Sequence, residues 1–136
     1  MDKKIRVIKV DGASIEVVEI ENTLGSLQKE IGGYIEAVTI PEGSWYDASY
    51  KANPELAMTI ICHEEGKLLG LDPTLILGEW EMGIRGACGQ RAHDMVCGTV
   101  LITYAVDGEF VSLTDDQIQD GLDWCIRWHI AQWREA

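Results

Sequence analysis

Basic residues are scarce in this sequence. Eleven Lys and Arg stand against 23 Asp and Glu, which gives a formal net charge of −12 and a sequence pI near 4.5. A chain so charged is repelled by DNA and by anionic lipid unless its few bases gather on one surface, so a generic nucleic-acid or membrane-surface binder is excluded. Long apolar runs are missing too, and with them any spanning helix. No Cys-x-x-Cys is present: Cys62, Cys88, Cys97 and Cys125 are widely spaced, which argues against a zinc ribbon or a thioredoxin-type pair. Two disulfides are arithmetically possible. However, Met1-Asp2-Lys3-Lys4 leads into Ile5–Val10 rather than into a long apolar segment with a cleavage site. That beginning reads as a chain without a secretory signal, hence a cytoplasmic protein with reduced, mostly buried thiols. Internal repeats, linkers and low-complexity tracts are absent as well.

What is present is ordinary globular material. Of 136 residues, 46% are hydrophobic and 25% charged, enough for one domain over 1–136 with a single core. Ile5–Val10 and Ser14–Ile20 are β-branched runs separated by Asp11-Gly12-Ala13, a hairpin signal. Ile15, Val17 and Ile20 are expected on one face of the second run, with Glu16 and Glu19 interrupting, as in a sheet with one solvated face. Asn22 and Thr23 can cap a short helix carrying Leu24, Leu27 and Ile31, ended by Gly32-Gly33. Tyr34–Ile40 and Leu56–Cys62 read as strands, the second followed by a turn at Glu64-Glu65-Gly66-Lys67. Leu68–Leu77, broken at Asp72-Pro73, reads as one helical turn with Pro73 first, and Gly78–Ala92 as irregular. Further strands are expected at Thr99–Tyr104 and Phe110–Leu113. Thr114-Asp115-Asp116-Gln117 is a capping box for a helix running nearly to residue 136, with Ile118, Leu122, Cys125 or Ile126, His129 and Trp133 at helical spacing. The fold class is α+β: a mainly antiparallel sheet, one short helix and one long C-terminal helix.

Two segments stand out for chemistry. From Met82 to His93 there is no acid, yet Arg85 and Arg91 sit among glycines, beside Gln90. Glycine permits close backbone approach, and Arg presents forked donors that match phosphate. The spacing fits neither a P-loop nor a dinucleotide fingerprint. The Pro41–Pro54 loop adds Trp45, Tyr46 and Tyr50, and Trp80 lies close to the arginines in sequence; rings beside Arg can clamp a nucleobase at about 1–3 kcal/mol per base. The blander alternative is a solvated loop, with rings that cover the core or an oligomer interface. Cys125 and His129, four apart, form a conceivable metal pair, but core packing accounts for them better. His93-Asp94 and the acid pairs specify no catalytic set, and the acid pairs suit a turn and a helix cap. Trp124 and Trp128 form an i, i+4 aromatic pair which, with Trp133, makes the last helix the candidate for self-association into a homo-oligomer.

Leu24–Val38 (LGSLQKEIGGYIEAV), Cys62–Leu71 (CHEEGKLLGL), Asp94–Ile102 (DMVCGTVLI) and Phe110–Ile118 (FVSLTDDQI) follow one another in an order that resembles a family of phages and other mobile elements. That family is known as the domain of unknown function numbered thirty-eight forty-six. His63 stands where the family usually has Asn, Gly43–Asn53 and Gly78–Gln90 look longer than usual, and the last helix is richer in Trp. The resemblance implies a viral or mobile-element protein, sometimes encoded beside antirestriction modules, and supplies no catalytic residues. Together these features lead to the expectation of a counter-defence protein. It would bind and sequester a small nucleotide-derived signal, cyclic ADP-ribose-like or a cyclic dinucleotide, through Trp45, Tyr46, Tyr50, Trp80, Arg85, Gln90 and Arg91. No cofactor or metal is implied. An acidic DNA mimic that binds a host enzyme, and an enzyme that cleaves the signal, are the alternatives.

Overall fold

The computed structural model describes residues 3–39, 57–80, 90–106 and 108–129. Strand β1 (Lys4–Val10) pairs antiparallel with β2 (Ile15–Glu21) from Lys4↔Glu21 to Val10↔Ile15. The turn between them is built by Asp11, whose carboxylate accepts the backbone N–H groups of Ala13 and Ser14 at 2.8 Å each. Helix α1 (Leu24–Ile31) begins where Thr23 accepts the N–H of Ser26, and it ends at Gly32 in the left-handed conformation, φ 89°. Then follow β3 (Ile35–Thr39), β4 (Ala57–His63), β5 (Pro73–Trp80), β6 (Gln90–Cys97), β7 (Val100–Val106), β8 (Glu109–Val111) and α2 (Asp115–Trp128).

The main sheet has the order β2-β1-β7-β4-β3, and β8 pairs with the end of β7 beyond β1. Its described pairings are antiparallel, as is the separate β5–β6 ribbon. Strand alternation splits β1 between two cores. Ile5 and Val7 face α1 with Ile20, Leu27, Ile31, Ile61 and Leu101. Ile8 and Val10 face the other way, into a larger cluster with Met58, Ile60, Leu75, Ile102 and Trp124, covered by α2 and the start of the ribbon. Each fully buried aliphatic side chain there contributes about 1.5–3 kcal/mol. The same alternation directs Lys9 to Glu30 of α1 at 3.0 Å and Arg6 to the beginning of α2.

Thr114 and Gln117 close the α2 capping box in both directions, so the first turn forms as its sequence indicates. Within α2, a Cβ at Gly121 would run into Cδ1 of Ile8; glycine is what lets the helix lie close on β1. At the far end His129 stops the helix in extended backbone geometry. Its N–H reaches the Cys125 carbonyl, and its Nε2 donates to the Asp11 carbonyl at 2.7 Å. That bond requires the hydrogen on Nε2 and ties the end of α2 to the β1–β2 turn.

Several expectations are corrected. Pro73 opens a strand rather than a helical turn: β5 pairs with β6 from Pro73↔Cys97 to Trp80↔Gln90, so the two ends of the stretch read as irregular are strand. Among the described residues each face of the main sheet carries its own core, rather than one face being solvated throughout. Ile20 turns toward α1 with Val18, on the face opposite Ile15. The last helix ends at Trp128, well short of residue 136.

Candidate functional site

The turns at one end of the main sheet enclose an open cleft of about 620 Å³. It is lined by the β1–β2 turn (Asp11, Gly12, Ala13), the end of α1 (Ile31, Gly32), the end of β4 (His63), the segment before β5 (Leu69, Leu71, Asp72), Thr74, and the β6–β7 turn (Gly98, Thr99). A web of bonds holds these turns in place. Gly98 N–H donates to the Asp72 carbonyl at 2.8 Å, and the buried Thr74 hydroxyl donates to the Gly98 carbonyl at 2.5 Å. Leu71 N–H reaches back to the Gly66 carbonyl at 3.0 Å.

His63 is the ring in this cleft, and its orientation is set twice. Its Nδ1 accepts the N–H of Glu65 at 3.0 Å, which places the hydrogen on Nε2. Nε2 in turn lies where a Cβ of residue 33 would be, so Gly33 is the surface against which the imidazole rests. Asp11 and Asp72 supply carboxylates. The N–H groups of Ala13 and Ser14 hold the Asp11 carboxyl below its ordinary range, so it is a fixed anion. The cleft therefore offers anionic acceptors, one oriented ring donor, a threonine hydroxyl and an apolar wall of Ile31, Leu69 and Leu71. This set suits ligands that bring hydroxyls, amines or cationic groups.

The cysteines stand apart from this chemistry. Cys62, Cys97 and Cys125 are buried free thiols. Burial, reinforced by the charge of Glu36, pushes the Cys62 thiol up to about 11, and burial pushes Cys125 up to about 12. Neither is primed as a nucleophile. Cys88 lies outside the described residues. Among the described residues no three His, Cys, Asp or Glu side chains gather as a metal site would need, and no helix is long and apolar enough to cross a membrane.

Of the residues singled out for ligand binding, Trp45, Tyr46, Tyr50 and Arg85 lie outside the described residues. The backbone brings three others together, since Trp80 pairs with Gln90 and the adjacent Glu79 with Arg91. Their side chains are not among those described. These pairs sit at the far end of the ribbon, separated from the Pro73↔Cys97 end by roughly 20 Å of strand. In the last helix, Trp124 is only 2% exposed and belongs to the larger core, so it is not half of an exposed aromatic pair. Trp128 is placed by its backbone alone, and Trp133 lies outside the described residues. Asp11, His63, Asp72 and Thr99 were missed as a site because each sits in a different turn. A signal was nevertheless present: Gly32, His63 and Gly98 belong to three of the four segments quoted for the resemblance.

The molecule is thus an α+β protein with a turn-lined cleft at one end of an antiparallel sheet. The chain belongs to the family described as Domain of unknown function (DUF3846), which matches it over residues 4–126. No curated protein and no solved structure matches it.

Proposed function

We propose that this protein is a phage or mobile-element counter-defence factor that binds a small nucleotide-derived signal and sequesters it without cleavage. The observation that carries this reading is the meeting of three family segments in one cleft, whose volume of about 620 Å³ is in the range of small-molecule sites. The Asp11 and Asp72 carboxylates suit ribose hydroxyls and exocyclic amines, as acidic residues do in dinucleotide sites, and they repel phosphate. The nucleoside end of the signal therefore belongs in the cleft and its phosphates outside. Arg91, on β6 at the far end of the ribbon and roughly 20 Å of strand away, is too distant to hold the phosphates of a small ligand seated in the cleft. His63 favours binding over turnover, because its Nδ1 is taken by Glu65 and its Nε2 is a donor.

The DNA-mimic alternative has less support. Glu21, Glu19 and Glu16 of the edge strand β2 stand in register with Lys4, Arg6 and Lys9 of its neighbour, so the acids do not run as an unbroken stripe there. Calorimetry with cyclic ADP-ribose and cyclic dinucleotides tests the proposal, followed by recovery of the ligand from denatured protein. Binding with intact recovery, weakened at least tenfold by Asp72→Lys, is the expected result. Silence across the panel, or recovery of a cleaved product, overturns it.

A further inference from the structure

The end of the sheet that holds the cleft also presents three exposed apolar side chains: Leu68 at 87%, Tyr34 at 69% and Leu69 at 58% exposure. Backbone bonds draw them together. Glu64 N–H donates to the Tyr34 carbonyl at 3.0 Å, which extends the β3–β4 ladder by one residue. Leu69 N–H then donates to the Glu65 carbonyl at 2.9 Å, folding the turn back one winding later. Leucines held outward on a hydrogen-bonded turn have given up the core burial that leucine ordinarily gains. Neighbouring apolar groups rimmed by polar ones mark a surface that meets something else.

The rim indicates what that is. Glu64 and Glu65 are exposed in the same turn as the leucines, with Lys67 as its base; Glu36, two residues after Tyr34, and Asp72, three after Leu69, are exposed as well. In a chain of net charge −12 this end is acidic around an apolar centre. A second copy is a poor occupant, since a two-fold contact would press acid rim against acid rim. An anionic bilayer is repelled in the same way. We propose that Tyr34, Leu68 and Leu69, with their acidic rim, dock a basic segment of a partner protein in which Arg or Lys flank two or three apolar anchors. The charges speed encounter and set orientation, while the anchors slow release. This surface shares Leu69 and Asp72 with the lining of the cleft, but peptide docking does not require that the cleft hold a nucleotide.

Fluorescence anisotropy tests it with three labelled peptides: Leu interleaved with Arg, the same peptide with Glu for Arg, and one with Ser for Leu. The Arg/Leu peptide is expected to bind at least tenfold more tightly than the other two. Leu68→Ser with Leu69→Ser, which leaves every charge in place, should weaken it at least tenfold, and so should Glu64→Gln with Glu65→Gln. Glu16→Gln with Glu19→Gln removes equal charge at the opposite edge of the sheet and should change binding less than twofold. All these positions are at the surface, and an unchanged thermal melt confirms each variant's fold. No binding, indifference to the leucine pair, or equal loss from the β2 pair overturns the proposal. So does self-association in sedimentation, or flotation with phosphatidylcholine vesicles, that the leucine pair abolishes.

Discussion

Gly33 and His63 are fitted to each other: a Cβ on residue 33 would fall onto Nε2 of the imidazole, while Glu65 N–H fixes the ring from its other nitrogen. The Glu65 bond resists the swing of the ring that would admit a methyl group. Gly33→Ala is therefore expected to cost about 1–3 kcal/mol, the usual cost of overpacking. Most of that cost should vanish in a His63→Ala background, where the space is open. Urea melts of the two single variants and the double variant measure the coupling. Additive losses would mean that the two residues do not share this space.

Arg6 joins β1 to the beginning of α2 through two unequal contacts. Its guanidinium donates to the Leu113 carbonyl from Nε at 3.1 Å and from Nη2 at 2.7 Å, and it pairs with Asp115 at 3.0 Å. The Asp115 side chain is 93% exposed, and such pairs are worth about 0.2–1 kcal/mol. The carbonyl lies beside buried Leu113, where charge-assisted bonds count for about 1.5–3 kcal/mol. Arg6→Met should thus destabilise by about 1.5–3 kcal/mol and Asp115→Asn by less than about 1 kcal/mol. Salt should remove most of the second effect and only the same small part of the first. Equal losses from both substitutions would reverse this ranking.

Which features were legible follows from how local their causes are. Asp11 folds its own turn, Thr23 caps α1 and Thr114 with Gln117 caps α2, each through partners within three residues. Pro73 misled because it suits the first turn of a helix as well as the first residue of a strand, and the short run Leu75–Leu77 carries no period that separates the two. What settles it is pairing with Gln90–Cys97, a partner no window around Pro73 contains. The cleft was illegible for a related reason, since Asp11, His63, Asp72 and Thr99 meet only once the strands are in register. Leu68 and Trp124 were hidden by composition. A leucine reads as core and an aromatic pair as surface, yet the fold exposes the first and buries the second.

The Cys125 thiol makes stability depend on alkaline pH. Burial raises its pKa from 9.0 to about 12, so the native state keeps its proton over a range where the unfolded chain loses it. The thiol's contribution is complete below pH 9 and falls as pH rises beyond it, by about 1.4 kcal/mol per pH unit. Urea melts from pH 8 to 10 should show the native protein losing stability faster above pH 9 than Cys125→Ala does, with parallel behaviour below. The Cys62 thiol, also raised by burial, is common to both proteins and cancels in the difference. Parallel curves across the whole range would mean that the thiol ionises alike in both states.

Trp124 decides between a helix built for self-association and one built for the core. At 2% exposure it packs with Ile8, Leu75 and Ile102 on the sheet side of α2, while Ile126 points outward. A tryptophan at an oligomer interface would, on truncation, leave the subunit's own melt nearly unchanged and shift only its sedimentation. A core tryptophan behaves otherwise, because its removal leaves a cavity that the surrounding β-branched side chains fill only in part. Trp124→Ala should cost about 3–5 kcal/mol, a large fraction of the roughly 5–15 kcal/mol that holds a domain together. Ile126→Ser, by contrast, should change stability by no more than about 0.5 kcal/mol. Denaturant melts at two protein concentrations separate the cases: a concentration-independent loss for Trp124→Ala places the ring in the subunit core, and a concentration-dependent one would return it to an interface.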